Sequence, residues 1–130
     1  MIQMPLGLMR KLLLFWFLTG VETPLSPALA EVLPAAEGAK IEALIKHIQN
    51  LRHAVFVRNG KEYGADTTAR FLRKKWESKK DEIRSARDFI EKVASVSSTS
   101  GHPYHIRLKD GRTLTSREYL LVQLANLENE

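Results

Sequence analysis

The sequence predicts an α+β fold: one small domain in which about four helices pack on one face of a small antiparallel sheet made from two β-hairpins. Three observations support this. Two short stretches of strand character each run into a turn dipeptide, Asn59-Gly60 in one and Asp110-Gly111 in the other. Around them lie segments whose apolar residues recur at helical spacing. Two isolated hairpins are marginal in water, whereas one sheet of up to four strands laid on helices is stable.

The chain has 130 residues, so one domain is expected, and the first thirty lie outside it. Arg10 and Lys11 form a basic n-region, residues 12–18 an apolar core, and Ala28-Leu29-Ala30 follows Pro24 and Pro27 as a small-residue cleavage site. These features predict a secretory signal peptide over 1–30, cut after Ala30, and a periplasmic or secreted protein that does not span the membrane after cleavage. A membrane anchor would need about 20 apolar residues, and the run reaches roughly half that before Glu22. With no cysteine, the chain can be neither a lipoprotein nor disulfide-bonded, so its core alone must hold it. Residues 31–38, with Pro34 and small side chains, read as a flexible lead to a domain over 39–128.

A first helix over 39–52 carries Ile41, Leu44, Ile45, Ile48 and Leu51 as one apolar stripe. Residues 54–58 are β-branched and aromatic, Asn59-Gly60 supplies the positive-φ pair of a type I′ turn, and residues 61–63 return. Asp66 is placed to cap a second helix with Ala69, Leu72, Trp76 and Ile83 facing inward, interrupted near Lys79 and Lys80. Trp76 belongs to the core on this spacing, since a buried indole removes so much apolar area from water. Residues 85–88 form a capping-box variant opening a third helix, whose buried side is Ala86, Phe89, Ile90, Val93 and Ala94. Tyr104, Ile106 and Leu108 alternate with basic residues in a strand, Asp110-Gly111 turns it, and residues 112–114 return. Thr115-Ser116-Arg117-Glu118 is a full capping box before a last helix with Leu120, Leu121, Leu124 and Leu127 inward.

Those residues also carry a resemblance. Residues 56–60, Leu72-Arg73, Ala86, Phe89-Ile90, residues 92–95, Ser97-Ser98, Gly101 and Pro103-Tyr104 resemble, in order, the YfeK-like family of small exported bacterial proteins with a domain of unknown function. The likeness covers about 41–107. It implies a bacterial periplasmic setting and brings no activity, substrate or cofactor. Lys commonly stands in that family where this chain has His102.

Function is expected where polar residues gather beyond the needs of a connection. The turn over 97–105 gathers Ser98, Ser100, Gly101, His102 and Tyr104; the first hairpin adds Arg58, Asn59 and Tyr63. Arg58 at a strand end suits a carboxylate or phosphate. The leading expectation is a non-enzymatic binding domain using these eight residues, with an envelope ligand or partner and no cofactor or metal. An envelope hydrolase using Ser100, His102 or His105 is the second reading, although no base–acid pair is visible beside the serines. His102 and His105 are two of the three or four ligands a zinc site needs. The third reading is a structural or stress-related envelope protein. Its basic helix surface (Arg73, Lys74, Lys75, Lys79 and Lys80) would meet anionic surfaces, and pairs such as Arg73–Glu77, Arg84–Asp88 and Arg87–Glu91 would lace that surface. Removing 1–30 takes away two positive charges and one negative, so the net charge falls from +5 to +4. That mild charge outside the cytoplasm sets nucleic acid aside as a partner.

Overall fold

The computed structural model describes residues 33–130, so the signal-peptide reading of 1–30 lies outside the described residues. Among the described residues four helices, α1 (Ala35–Gln49), α2 (Ala65–Ser78), α3 (Ala86–Lys92) and α4 (Ser116–Glu128), accompany four strands, β1 (Val55–Arg58), β2 (Lys61–Tyr63), β3 (His105–Arg107) and β4 (Thr113–Thr115). The strands form one antiparallel sheet in the order β2-β1-β3-β4. The two hairpins therefore meet through their first strands, with Phe56 opposite Ile106 and Ile106 opposite Leu114. This is the α+β domain that the periodicities predict.

The core is built from one stripe of each element. Ile41, Leu44, Ile45 and Ile48 of α1 meet Leu72 of α2, Phe89 and Ile90 of α3, Leu120 and Leu124 of α4, and Phe56 and Ile106 of the sheet. Leu121 and Leu127 are partly buried against this cluster, as is Trp76, whose indole lies edge-on to Phe89 at 5.9 Å. Helix α1 touches all three other helices and is the central pillar.

Local chemistry explains where the elements differ from their sequence-based bounds. Helix α1 begins at Ala35, inside the stretch expected to be a flexible lead. Leu33 packs on the core ahead of it, and Glu37 ties its first turn to α3 by accepting a hydrogen bond from Ala86 N at 2.8 Å. That bond, with the Lys40 ammonium beside it, holds the Glu37 carboxyl below its usual range. Asp66 does not cap α2. Gly64 is the N-cap without a side-chain bond, and Asp66 sits in the first turn, where its charge still complements the helix dipole. The expected interruption falls after Ser78, followed by a 3₁₀ turn over Lys80–Glu82. Ser85 caps α3 through Asp88 N, but the Asp88 carboxylate reaches back to Arg84 N, one residue beyond the Ser85 amide that a full box would use. The box at Thr115 and Glu118 is complete.

The two hairpin turns are of different kinds. Asn59 and Gly60 have φ of 53° and 78°, as type I′ requires. Of the second pair only Gly111 is left-handed, at 92°. Gly111 N donates to Leu108 O and Leu108 N to Arg112 O, which makes a three-residue loop ending in a glycine bulge.

Candidate functional site

The turn after α3 is clasped to the first hairpin by side chains. Ser97, only 4% exposed, closes its own loop: its N–H donates to His102 O, and its carbonyl accepts from Gly101 N. Gly101 allows the reversal with φ of 75°. Ser97 Oγ accepts from Thr99 N and Ser100 N, both at 3.3 Å, and from Asn59 Nδ2 at 3.2 Å. Ser100 Oγ donates to Asn59 Oδ1 at 2.6 Å and accepts from His102 N. The left-handed Asn59 therefore makes the turn of one hairpin and uses both ends of its amide to hold the loop that leads into the other.

Beneath this clasp lies a cluster of cations and aromatic rings. Arg58 leaves β1 on the same side as Phe56, and its guanidinium carbon lies 4.1 Å from the Phe71 ring centre and 5.0 Å from that of Tyr63. One of its nitrogens donates weakly to Tyr63 OH at 3.3 Å. From α2, four residues after Phe71, Lys75 reaches inward and is 9% exposed. Its Nζ donates to Val96 O at 2.7 Å and to Tyr104 OH at 2.9 Å. Tyr104 lies edge-on to Phe71, with ring centres 6.0 Å apart. Burial first, then the positive charges of Lys79 and Arg58, push the Lys75 amine down from 10.5 to about 8. Burial also pushes the Tyr104 phenol up, so at neutral pH it keeps its proton. Among the described residues, neither Arg58 nor Lys75 forms an ion pair.

A cavity of about 50 Å³ opens beside this cluster, between the sheet and the helices. Arg58, Tyr63 and Tyr104 border it; Ile48, Phe56, Leu72, Ile106 and Leu120 are among its apolar walls, and Thr67, Thr68, His105 and Ser116 also line it. Tyr119 also borders it and shares a 2.7 Å hydrogen bond with His47 Nε2. Burial lowers the proton affinity of His47, which favours the neutral ring in that bond.

Of the eight residues expected at the site, the clasp uses Asn59, Ser100 and Gly101, while Arg58, Tyr63 and Tyr104 join the cluster below. Ser98 and His102 are exposed at the rim, and among the described residues neither side chain makes a hydrogen bond. Sequence reasoning missed Ser97, the hub of the loop, together with Phe71 and Lys75. Lys75 follows the buried Leu72 by three positions, and that spacing was a readable sign that it faces inward. It therefore leaves the exposed basic surface on which it was expected. Arg73 pairs with Glu42 at 2.6 Å rather than with Glu77, and Glu91 takes a two-pronged bond from Arg117 while Arg87 lies 3.9 Å away. The hydrolase reading needs a serine beside a histidine; among the described residues no serine hydroxyl is hydrogen-bonded to a histidine ring, and Ser100 Oγ is held by Asn59. Among those residues no three His, Asp or Glu side chains are grouped to hold a metal ion, and no helix is long and apolar enough to cross a membrane.

Residues 35–128 match a family described as a family of unknown function, DUF5329; these limits coincide with the start of α1 and the end of α4. The chain is 38% identical over 78 residues to the uncharacterized protein YfeK of Salmonella typhimurium, a match covering 60% of this chain and 64% of that protein. No solved structure matches the chain. The chain belongs to the DUF5329 family, whose YfeK-like character was already legible in its ordered short motifs.

Proposed function

We propose that the protein is a small exported binding domain of the bacterial envelope, non-enzymatic, that receives an anionic group of its ligand where the first hairpin meets the 97–105 turn. One observation carries this reading: donors exceed acceptors at that joint. A guanidinium has five N–H groups, an ammonium three and a phenol one. Arg58 engages one acceptor through a long bond, Lys75 engages two, and the Tyr104 hydroxyl proton has no acceptor among the described residues. Two neighbouring cations repel each other, and burial raises the cost of each charge. An arriving carboxylate or phosphate would relieve both. The apolar core and Ala28-Leu29-Ala30 site in the first thirty residues support export.

The test is an NMR titration of the protein with acetate and with inorganic phosphate at constant ionic strength. It is followed on the Arg58 Nε–H and on the backbone amides of 58–63 and 96–105. Saturable shifts confined to these groups, and lost in Arg58→Gln, are the expected outcome. A second reading has its own support: the side-chain charges of Arg70, Lys74, Lys79 and Arg84 form no ion pair among the described residues. Shifts spread over those four and abolished by salt would replace the proposed site with a charged surface for anionic envelopes.

A further inference from the structure

The cavity beside Arg58 narrows the chemistry of that anion, and the argument rests on the reading just given. Of the two cations, half-buried Arg58 borders the cavity and buried Lys75 does not, because Lys75 Nζ is turned to Val96 O and Tyr104 OH. One guanidinium presents two parallel N–H groups, a match for a carboxylate. A doubly charged phosphate would place a second negative charge against largely apolar walls with no second Lys or Arg facing it. The walls behind Arg58 are mostly carbon, and Thr68, His105 and Ser116 add little polar surface, so a polar ligand body would find few partners to replace the water it gives up. Volume sets the size. An apolar cavity of about 150 Å³ accepts benzene, and this one is about 50 Å³.

We infer that the ligand group is a monocarboxylate bearing a compact aliphatic body, of about two to four carbons by that volume comparison, with the carboxylate on Arg58 and the body in the cavity. Two sources share this chemistry: a free short-chain acid, and a peptide C-terminus ending in a small apolar residue.

The experiment measures dissociation constants of the full protein for acetate, propionate, isobutyrate, hexanoate, benzoate, N-acetylalanine and N-acetylvaline. Each methylene buried is expected to tighten binding about three- to fourfold, so affinity rises from acetate to isobutyrate and rises no further with hexanoate or benzoate. Isobutyrate binding more tightly than N-acetylvaline identifies a free acid, and the reverse order identifies a peptide terminus. In Thr68→Leu, which places more carbon at the cavity wall, the isobutyrate-to-acetate ratio falls towards one. A flat series that still needs Arg58 overturns the inference and leaves the anion site standing. Absence of any Arg58-dependent binding removes both.

Discussion

Replacing Lys75 by Met tests the interior of the cluster. Met keeps most of the length and apolar stem and removes the charge. In the folded chain the Lys75 amine is lowered to about 8 by burial and by Lys79 and Arg58, against 10.5 for an ordinary lysine. Between these values the unfolded chain holds a proton that the folded chain has released, so stability rises as pH rises through the window. At about 1.4 kcal/mol per tenfold change in proton affinity, wild type gains roughly 2–3 kcal/mol over Lys75→Met between pH 7 and pH 10. The buried Tyr104 and half-buried Tyr119 phenols are both raised and oppose this trend at higher pH, which sets the upper limit of the scan. Urea unfolding at several pH values, followed by circular dichroism, reads the difference. For an m-value of about 1.5 kcal/mol/M the separation between the two midpoints changes by roughly 1.5–2 M. Midpoints that stay a constant distance apart from pH 7 to pH 10 would refute the desolvation argument. A carboxylate bound at Arg58 should return proton affinity to Lys75 and shrink the effect.

Three further outcomes follow from other contacts. Asn59→Gly keeps the left-handed turn but loses both amide bonds to the 97–100 loop, and should cost about 1 kcal/mol. Asn59→Ala should cost about 1 kcal/mol more for the strained backbone, so thermal melts that rank Gly with wild type would show the clasp contributes nothing. Glu37→Ala removes the acceptor for Ala86 N and should destabilise by about 1 kcal/mol, as loss of a helix cap does. Because the Glu37 carboxyl lies below the ordinary glutamate value of 4.5, that contribution is present above pH 4.5 and fades as pH falls further, so the wild-type advantage in urea should vanish in strong acid. His47 is lowered from 6.5 by burial, so the folded protein loses stability as pH falls below 6.5. His47→Gln retains a polar partner for Tyr119 OH and should flatten that acid-side decline in melting temperature; an unchanged slope would place its origin elsewhere.

The fold was legible because its punctuation is strong. Asn59-Gly60, Asp110-Gly111 and the Thr115–Glu118 box each mark an element boundary through backbone chemistry alone. The start of α1 was not legible, because what orders Ala35–Gly38 is Glu37 reaching an amide 49 residues away. The polar residues of the first hairpin and of the serine-rich turn meet at one joint. Their roles there were not readable. Ser97 and Ser100 differ in nothing but position, yet one is the buried hub of a loop and the other its outer latch. Lys75 was hidden by its neighbours Arg73 and Lys74, since a run of basic residues suggests a solvated face and only the helical angle distinguishes the inward member.

The sheet order β2-β1-β3-β4 has a kinetic corollary. Each hairpin joins neighbours in sequence and can zip within microseconds, but the seam between β1 and β3 requires residues roughly fifty apart to find one another. Closing a long loop costs entropy before any contact repays it. The rate-limiting step should therefore be the docking of two preformed halves, with α1 as the surface on which they meet. Substitutions within either turn would then alter mainly the folding rate, because the hairpins are already made at that step, and substitutions at Phe56 or Ile106 would alter the unfolding rate to the extent that the seam closes after it.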